Sequence, residues 1–309
     1  MQYPTSMPHS STRHSRPHLG QKQLEEAVMG YLFILPLVLV IVVLVYYPLA
    51  QGLSMSLRSL NYAMGTPDRF IGLRNYVRVL QDPDTLQAGL NTLGYLAVAL
   101  VFEAVGGLVF AVTLNGQFPG RGVVLALTIL PWALPGIVSG LLWARIFHPD
   151  NGLLNNLLFR LGLIQNYQLW FSNAHLSIIF IGIVFVWSNL PLTILMLLAA
   201  LQTIPSELYD AAAVDGAGPV LQFRYVTLPL LRPALAVALT IGTVNALAIF
   251  DQIYVLNGVG LTTRSIGQQI YLMTFMQLKF GQGTALAFWL TIVTLAFSVA
   301  YIRSLRRAR

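Results

Sequence analysis

The chain has no cysteine in its 309 residues, which excludes disulfide frameworks, thiolate metal sites and cysteine nucleophiles and leaves the redox compartment unreadable. Charge is scarce as well. Only 9% of residues are charged while 56% are hydrophobic, and a soluble protein of that composition would have far too little polar surface to cover itself. No GxxxxGK[ST] phosphate loop, no HExxH and no GxSxG occurs, so the chain carries no motif for ATP hydrolysis, zinc hydrolysis or serine hydrolysis. His9, His14 and His18 lie in a tail without apolar periodicity, and His148 and His175 fall at the ends of apolar runs without partners. No catalytic residue and no metal ligand is therefore assigned. The net charge of +7 comes from Lys and Arg scattered through loops and both ends. Anionic headgroups and the positive-inside rule produce that pattern, so lipid is the expected polyanionic partner and nucleic acid is not.

What the chain has in abundance is apolar length. Runs at Val28 to Leu49, Leu90 to Leu114, Gly122 to Trp143, Leu176 to Leu201, Ala234 to Leu256 and Thr284 to Ile302 can each cross about 30 Å of hydrocarbon as helix. The expected class is an all-α polytopic membrane protein with six transmembrane helices. The first run ends in Tyr46-Tyr47-Pro48, an interfacial signature rather than a cleavage site, and reads as a retained span. Pro131, Pro135 and Pro191 lie inside runs and predict kinks, which neighbouring helices or waters can satisfy.

An even number of spans puts both termini on one side. That side receives Arg13, Arg16 and Lys22, Arg303, Arg306, Arg307 and Arg309, with Arg121, Arg224 and Arg232 in its loops. Arg58, Arg69, Arg74, Arg78, Arg145, Arg160, Arg264 and Lys279 fall opposite. Charge thus favours cytoplasmic termini, with Gln51 to Gln87 and Phe147 to His175 external.

The polar stretch from Pro205 to Pro233 is patterned beyond the needs of a connector. Pro205 suits the start of a helix, Glu207 and Asp210 complement its positive end, Ala211 to Ala213 are strong helix formers, and Gly216 can supply a left-handed stop. So short a helix is marginal in water and needs something to pack against, and its alanines offer a low surface to a partner. An amphipathic connector lying on the membrane is the bland alternative.

Asp210-Ala211-Ala212, three residues, Gly216, nine residues, Val226, one residue and Leu228-Pro229 resembles the EAA loop of ABC-importer permeases, the binding-protein-dependent inner-membrane components. Asp210 stands where that family usually has Glu, and Val226 where it has Ile. FIGLRNYVRVL from Phe70, FHPDNGLLNNLL from Phe147 and FDQIYVLNGVGLTT from Phe250 resemble the sugar-type branch, in the subgroup supplying the first of two paired permeases. Leu256 to Leu261 read LNGVGL where that subgroup usually reads LTGGGP. The resemblance implies half of a translocation pathway in the inner or plasma membrane. Its partners would be a pair of cytoplasmic ATP-binding subunits, a second permease (a different chain on the subgroup resemblance, with a second copy of this chain as the alternative), and an extracellular or periplasmic solute-binding protein. ATP would be used by the partner ATPase and no cofactor bound by this chain. It further implies that Asp210, Ala211, Ala212 and Gly216 contact the ATPase, while Leu228 and Pro229 set the angle at which the next span re-enters.

Polar residues inside the runs are the remaining signal. Trp187, Ser188 and Asn189 in the fourth run and Thr243 and Asn245 in the fifth combine amides, hydroxyls and an aromatic face, a set suited to a sugar's hydroxyls and its apolar C–H face. The same Asn and Ser residues could simply join helices. Asp251, near the external end of the fifth run, reads as an interfacial or packing residue with solute contact as the alternative. Glu103 reads as a structural hydrogen bond to a neighbouring helix or partner permease ahead of solute contact, since a carboxylate inside a span is costly unless it faces a partner or cavity. An ion-coupled secondary transporter built around Glu103 is the competing class, although no internal repeat accompanies it. The resulting divisions are a disordered cytoplasmic tail (1–26), a permease domain (27–303) with an ATPase-docking loop (202–233), and a basic cytoplasmic tail (304–309).

Overall fold

The computed structural model describes residues 20–63, 65 and 67–307. These residues fall into two units divided between Gly52 and Leu53. In the first, α1 (Gln21–Ile41) runs through a π-helical turn (Val42–Tyr46) into α2 (Tyr47–Ser56). Most of the anticipated tail, residues 1–19, lies outside the described residues. Gln21 to Glu26 extend the apolar helix instead of belonging to the tail, because Gln, Lys, Leu and Glu are good helix formers adjoining an existing helix. The helix is apolar around its whole circumference, as a lipid-facing span is.

The second unit is built on α4 (Pro83–Asn115) and α8 (Ala174–Leu201). Asp82 caps α4, its Oδ2 accepting from the Thr85 N–H at 3.1 Å and the Thr85 hydroxyl at 2.7 Å, with Pro83 pre-set for the first turn. Asn173 caps α8 by accepting from the N–H groups of His175 and Leu176. Small residues let the two helices approach: Gly107 lies against Thr193 and Gly182 against Val98, so closely that a Cβ on either glycine would clash. Tyr95, Leu96 and Ala99 pack with Ile181, Phe185 and Val186 at one level, and Ala111 and Leu114 with Ile194, Leu197 and Leu201 at another.

The third run is the most distorted. α5 (Arg121–Ile129) passes through a 3₁₀ turn (Leu130–Ala133) and breaks before α6 (Gly136–Ile146), the two parts bent by 106°. The kinks expected at Pro131 and Pro135 are thus a full break, because Pro131 opens a turn already tightened to 3₁₀ and Pro135, with no N–H to continue it, stands at the cap of the helix that follows. Pro191, by contrast, sits inside an uninterrupted α8. Among the described residues five helices are long and apolar enough to cross a membrane, and the bent pair makes six when it crosses as one.

The fifth run differs in both its bounds. α10 (Pro219–Gln222), a π turn (Phe223–Thr227) and α11 (Leu228–Leu247) form one helical segment from Pro219 to Leu247. Leu228 and Pro229 therefore lie within a helix rather than at a re-entry point. The Leu228 N–H donates to Phe223 O, and this widened turn admits Pro229, which has no N–H to give. The run ends at Leu247, short of Leu256, and the chain resumes as α12 (Asp251–Asn257). α14 (Phe280–Arg307) is the last span, and positions 308 and 309 of the basic tail lie outside the described residues.

Shorter elements cap the opposite end from the Pro205 to Pro233 loop: α3 (Arg74–Gln81), α7 (Leu153–Arg160) and α13 (Ile266–Tyr271), the last followed by a π turn (Leu272–Met276). The α12–α13 connection is pinned to α4. Asn91 Nδ2 donates to Leu261 O and Arg264 O, Tyr95 OH to Thr263 O at 2.9 Å, and the Ile266 N–H to Thr92 Oγ1 at 2.9 Å.

Candidate functional site

Two places draw together the residues singled out from the sequence. The first is the loop between α8 and α10, where α9 (Ser206–Val214) forms as anticipated. Gly216 adopts φ +81°, the Ala217 N–H donates to Ala212 O at 2.8 Å, and the Gly216 N–H donates to Ala213 O at 3.0 Å. This is a Schellman cap, which satisfies the last carbonyls of α9 and is open to glycine because it has no Cβ to strain.

Residues outside the pattern hold α9 against the root of the next span. Tyr209 OH lies 3.0 Å from Thr227 Oγ1, and Gln222 Nε2 donates to Ala217 O at 3.1 Å. Asp210, Ala211, Ala213 and Val214 are consequently left on the exposed side, Val214 at 88% exposure, while Ala212, Leu228 and Pro229 are half-buried. The sequence did not single out Tyr209, Gln222 and Thr227, since a tyrosine, a glutamine and a threonine in a polar loop carry no signal of their own.

The second place lies between α4, α8 and α11. Asn245 Nδ2 donates to Asn189 Oδ1 at 3.2 Å, and Asn189 Nδ2 donates to Phe185 O at 2.9 Å. The pair lines a cavity of about 10 Å³ together with Glu103, Thr193, Gly242 and Ile241. Glu103 is 1% exposed, and neither carboxyl oxygen has a hydrogen-bond partner among the described residues. The structural hydrogen bond expected of it to a neighbouring helix of this chain is thus not made. Its carboxyl occupies the space that a Cβ on Gly242 would need. A lone glycine inside an apolar run, three residues before Asn245, was the sequence signal for this close approach.

The other residues expected on a solute path point elsewhere. Ser188 Oγ lies 2.7 Å from Ser139 Oγ and joins α8 to α6. Trp187 stacks edge-on against Trp143, with ring centroids 5.7 Å apart, beside an open cleft that also takes in Arg145, Asn151 and Asn156. Thr243 is buried, donating to Leu239 O at 2.7 Å and lying 3.3 Å from Tyr301 OH. Asp251 begins α12, with its carboxylate against Gly136 at the start of α6. Among the described residues no three His, Asp or Glu side chains cluster as a metal site would require.

Comparison with known proteins bears directly on this arrangement. Residues 103–308 match the family described as binding-protein-dependent transport system inner membrane component. The chain belongs to that family. It is 36% identical, over 90% of its length and 94% of the relative's, to the trehalose/maltose transport system permease protein MalF of Thermococcus litoralis. It is 33% identical, over 92% of each chain, to the sulfoquinovosyl glycerol transport system permease protein SmoG of Agrobacterium fabrum. Its fold superposes with a TM-score of 0.80 and 24% identity on a chain of a bacterial ABC transporter involved in import of the acidic polysaccharide alginate, covering 93% of this chain and 98% of that one. A permease of this family is a multi-pass component of the inner membrane, and the five long apolar helices, with the bent α5–α6 pair as a sixth, are of a length and composition to supply its crossings.

Proposed function

We propose that this permease forms half of the translocation pathway of an ATP-driven importer for a sugar or a related polyol. It works beside a second, different permease, a cytoplasmic pair of ATP-binding subunits and an external solute-binding protein. ATP is consumed by the ATPase pair, and this chain binds no cofactor. Both termini are cytoplasmic, which puts α9 on the same side as the ATPase.

The observation that carries this reading is α9. A nine-residue helix, marginal alone in water, is capped at Gly216, tied by Tyr209 to the root of the next span, and turned so that Asp210, Ala211 and Ala213 face outward. That is the geometry of a helix made to be gripped. The sugar class is supported by the trehalose/maltose and sulfoquinovosyl glycerol permeases among the relatives. It is supported also by the Asn189 and Asn245 amides, which offer donors and acceptors to hydroxyls.

Co-purification in mild detergent, followed by mass spectrometry, tests the assembly. An ATPase and a second permease are expected to travel with the wild-type chain, and Gly216→Arg is expected to release the ATPase and abolish ATP-dependent uptake of radiolabelled sugar. Recovery of the chain alone, or uptake by Gly216→Arg at the wild-type rate, would overturn the reading.

A further inference from the structure

The Glu103 carboxyl has no structural employment in this conformation. Among the described residues no hydrogen bond reaches either oxygen, and no Lys, Arg or His lines its cavity, so neither helix-joining nor ion pairing accounts for it. A carboxyl group is among the costliest side chains to place inside a membrane span, and a buried one left unsatisfied calls for a reason. The fold nevertheless makes room for it. Gly242 on α11 omits the one Cβ that would collide with the carboxyl, so the group reaches from α4 to the backbone of α11.

Its surroundings say what could satisfy it. The cavity of about 10 Å³ holds roughly one water and no solute. Its rim is not sealed by core: Ile241 and Asn245 are exposed and Asn189 is half-buried, so the cavity lies just behind the chain's outer face. A single hydrogen bond of 3.2 Å, from Asn245 to Asn189, crosses this rim and links α11 to α8. Those are the two helices whose ends run directly into the α9 loop.

We propose that the Glu103 carboxyl is a solute-contacting group of the translocation path, shut in behind the Asn189–Asn245 pair in this conformation and reached by the solute's hydroxyls when α8 and α11 part. The inference rests on the importer reading above and narrows it to neutral polyhydroxylated solutes. Its oxygens accept hydrogen bonds from hydroxyls and the amides beside them supply donors as well as acceptors; once the opened path hydrates and ionises the carboxyl, with no cation lining the site, a carboxylate on the solute is repelled.

The complete transporter in proteoliposomes tests this in two ways. In a chain without cysteine, Glu103→Cys places a single thiol at the site. Its reaction with a small methanethiosulfonate reagent is expected to differ at least tenfold between the nucleotide-free state and the state trapped with ATP and vanadate. Equal reactivity in the two states overturns the proposal.

The second measurement is uptake of radiolabelled trehalose and maltose as probes. Glu103→Gln, assembled normally by gel filtration, is expected to raise KM about tenfold and to weaken the exclusion of the acidic analogue glucuronate, with Glu103→Asp recovering part of both. An unchanged KM and unchanged exclusion in an assembled Glu103→Gln transporter overturn it, as does lowered thermal stability as the sole effect. Should the wild type hydrolyse ATP with its partners yet take up neither probe, the sugar reading is what fails and the thiol reactivity alone decides for Glu103. Uptake that ignores ATP, collapses with a proton uncoupler and is lost in Glu103→Gln overturns both readings.

Discussion

Replacing Gly216, which closes the left-handed cap of α9, should have an effect on the proposed ATPase docking that can be worked from the structure. A Cβ at this site would meet nothing within 4 Å, so side-chain clash contributes nothing and the cost is that of holding φ at +81°. For an L-residue other than Asn or Asp the left-handed conformation costs about 1–2 kcal/mol, a factor of roughly 5–30 in the balance between capped and frayed α9. When the ATPase grips only the capped helix, its apparent Kd rises as the capped fraction falls. Titrating the ATPase subunit onto the permease pair in nanodiscs should therefore give an order of Gly, then Asn, then Ala, then Val. Asn should lie within about threefold of wild type and Val at or beyond the upper end of that range. Gly218 supplies the control: it also has nothing within 4 Å of a Cβ, but its φ is −71°, and Gly218→Ala should bind as wild type does. Val at position 216 binding as tightly as Gly, or Asn and Val weakening equally, would refute the reasoning.

Tyr209→Phe deletes the 3.0 Å contact with Thr227 and, at about 1 kcal/mol for a net hydrogen bond, should loosen ATPase binding severalfold while leaving the Tm of the helical unit in detergent unchanged. Gly242→Ala should destabilise that unit by about 1–3 kcal/mol through overpacking against Glu103, and Glu103→Ala should restore most of it; strictly additive effects in thermal unfolding would contradict the contact. Arg264 is 8% exposed and donates to Gln269 Oε1 at 2.8 Å and to Val259 O, whereas its 3.6 Å pair with Asp84 is half-exposed on the acid side. Arg264→Met should thus cost about 3 kcal/mol and Asp84→Asn below about 1 kcal/mol, and comparable Tm losses for the two would show the ranking to be wrong.

What the sequence made legible follows the range of the interactions involved. The spans were legible because apolar length is a local property, and α9 because its start, its alanines and its Gly216 stop lie within a dozen residues of one another. The end of the fifth span was not. Ala248, Ile249 and Phe250 are as apolar as the helix before them, so hydropathy runs on to Leu256. The helix stops at Leu247 where the chain beyond it is held by a distant group, the Ser265 hydroxyl donating to Ile249 O at 2.6 Å. Pro229 and Pro233 misled in the opposite sense, reading as a break between segments when a π turn carries the helix across. The pairing of Asn189 with Asn245, and of Glu103 with Gly242, joins residues on three helices. Their types suggested polar work inside the membrane, but only the packing of α4, α8 and α11 decides which of them meet.

The segment from Pro219 to Leu247 behaves mechanically as a lever. Pro229 and Pro233 each withhold a backbone donor on adjacent turns, next to a widened π turn, so bending resistance is lowest there and the pivot falls near Leu231. From that pivot to Asn245 the arm is about 21 Å long at 1.5 Å per residue. A tilt of about 10° imposed on the loop end would carry Asn245 about 3.7 Å along its arc. A hydrogen bond already 3.2 Å long has only about 0.3 Å of slack before it is lost, so a small rotation at the loop end of this lever suffices to break the Asn245–Asn189 bond.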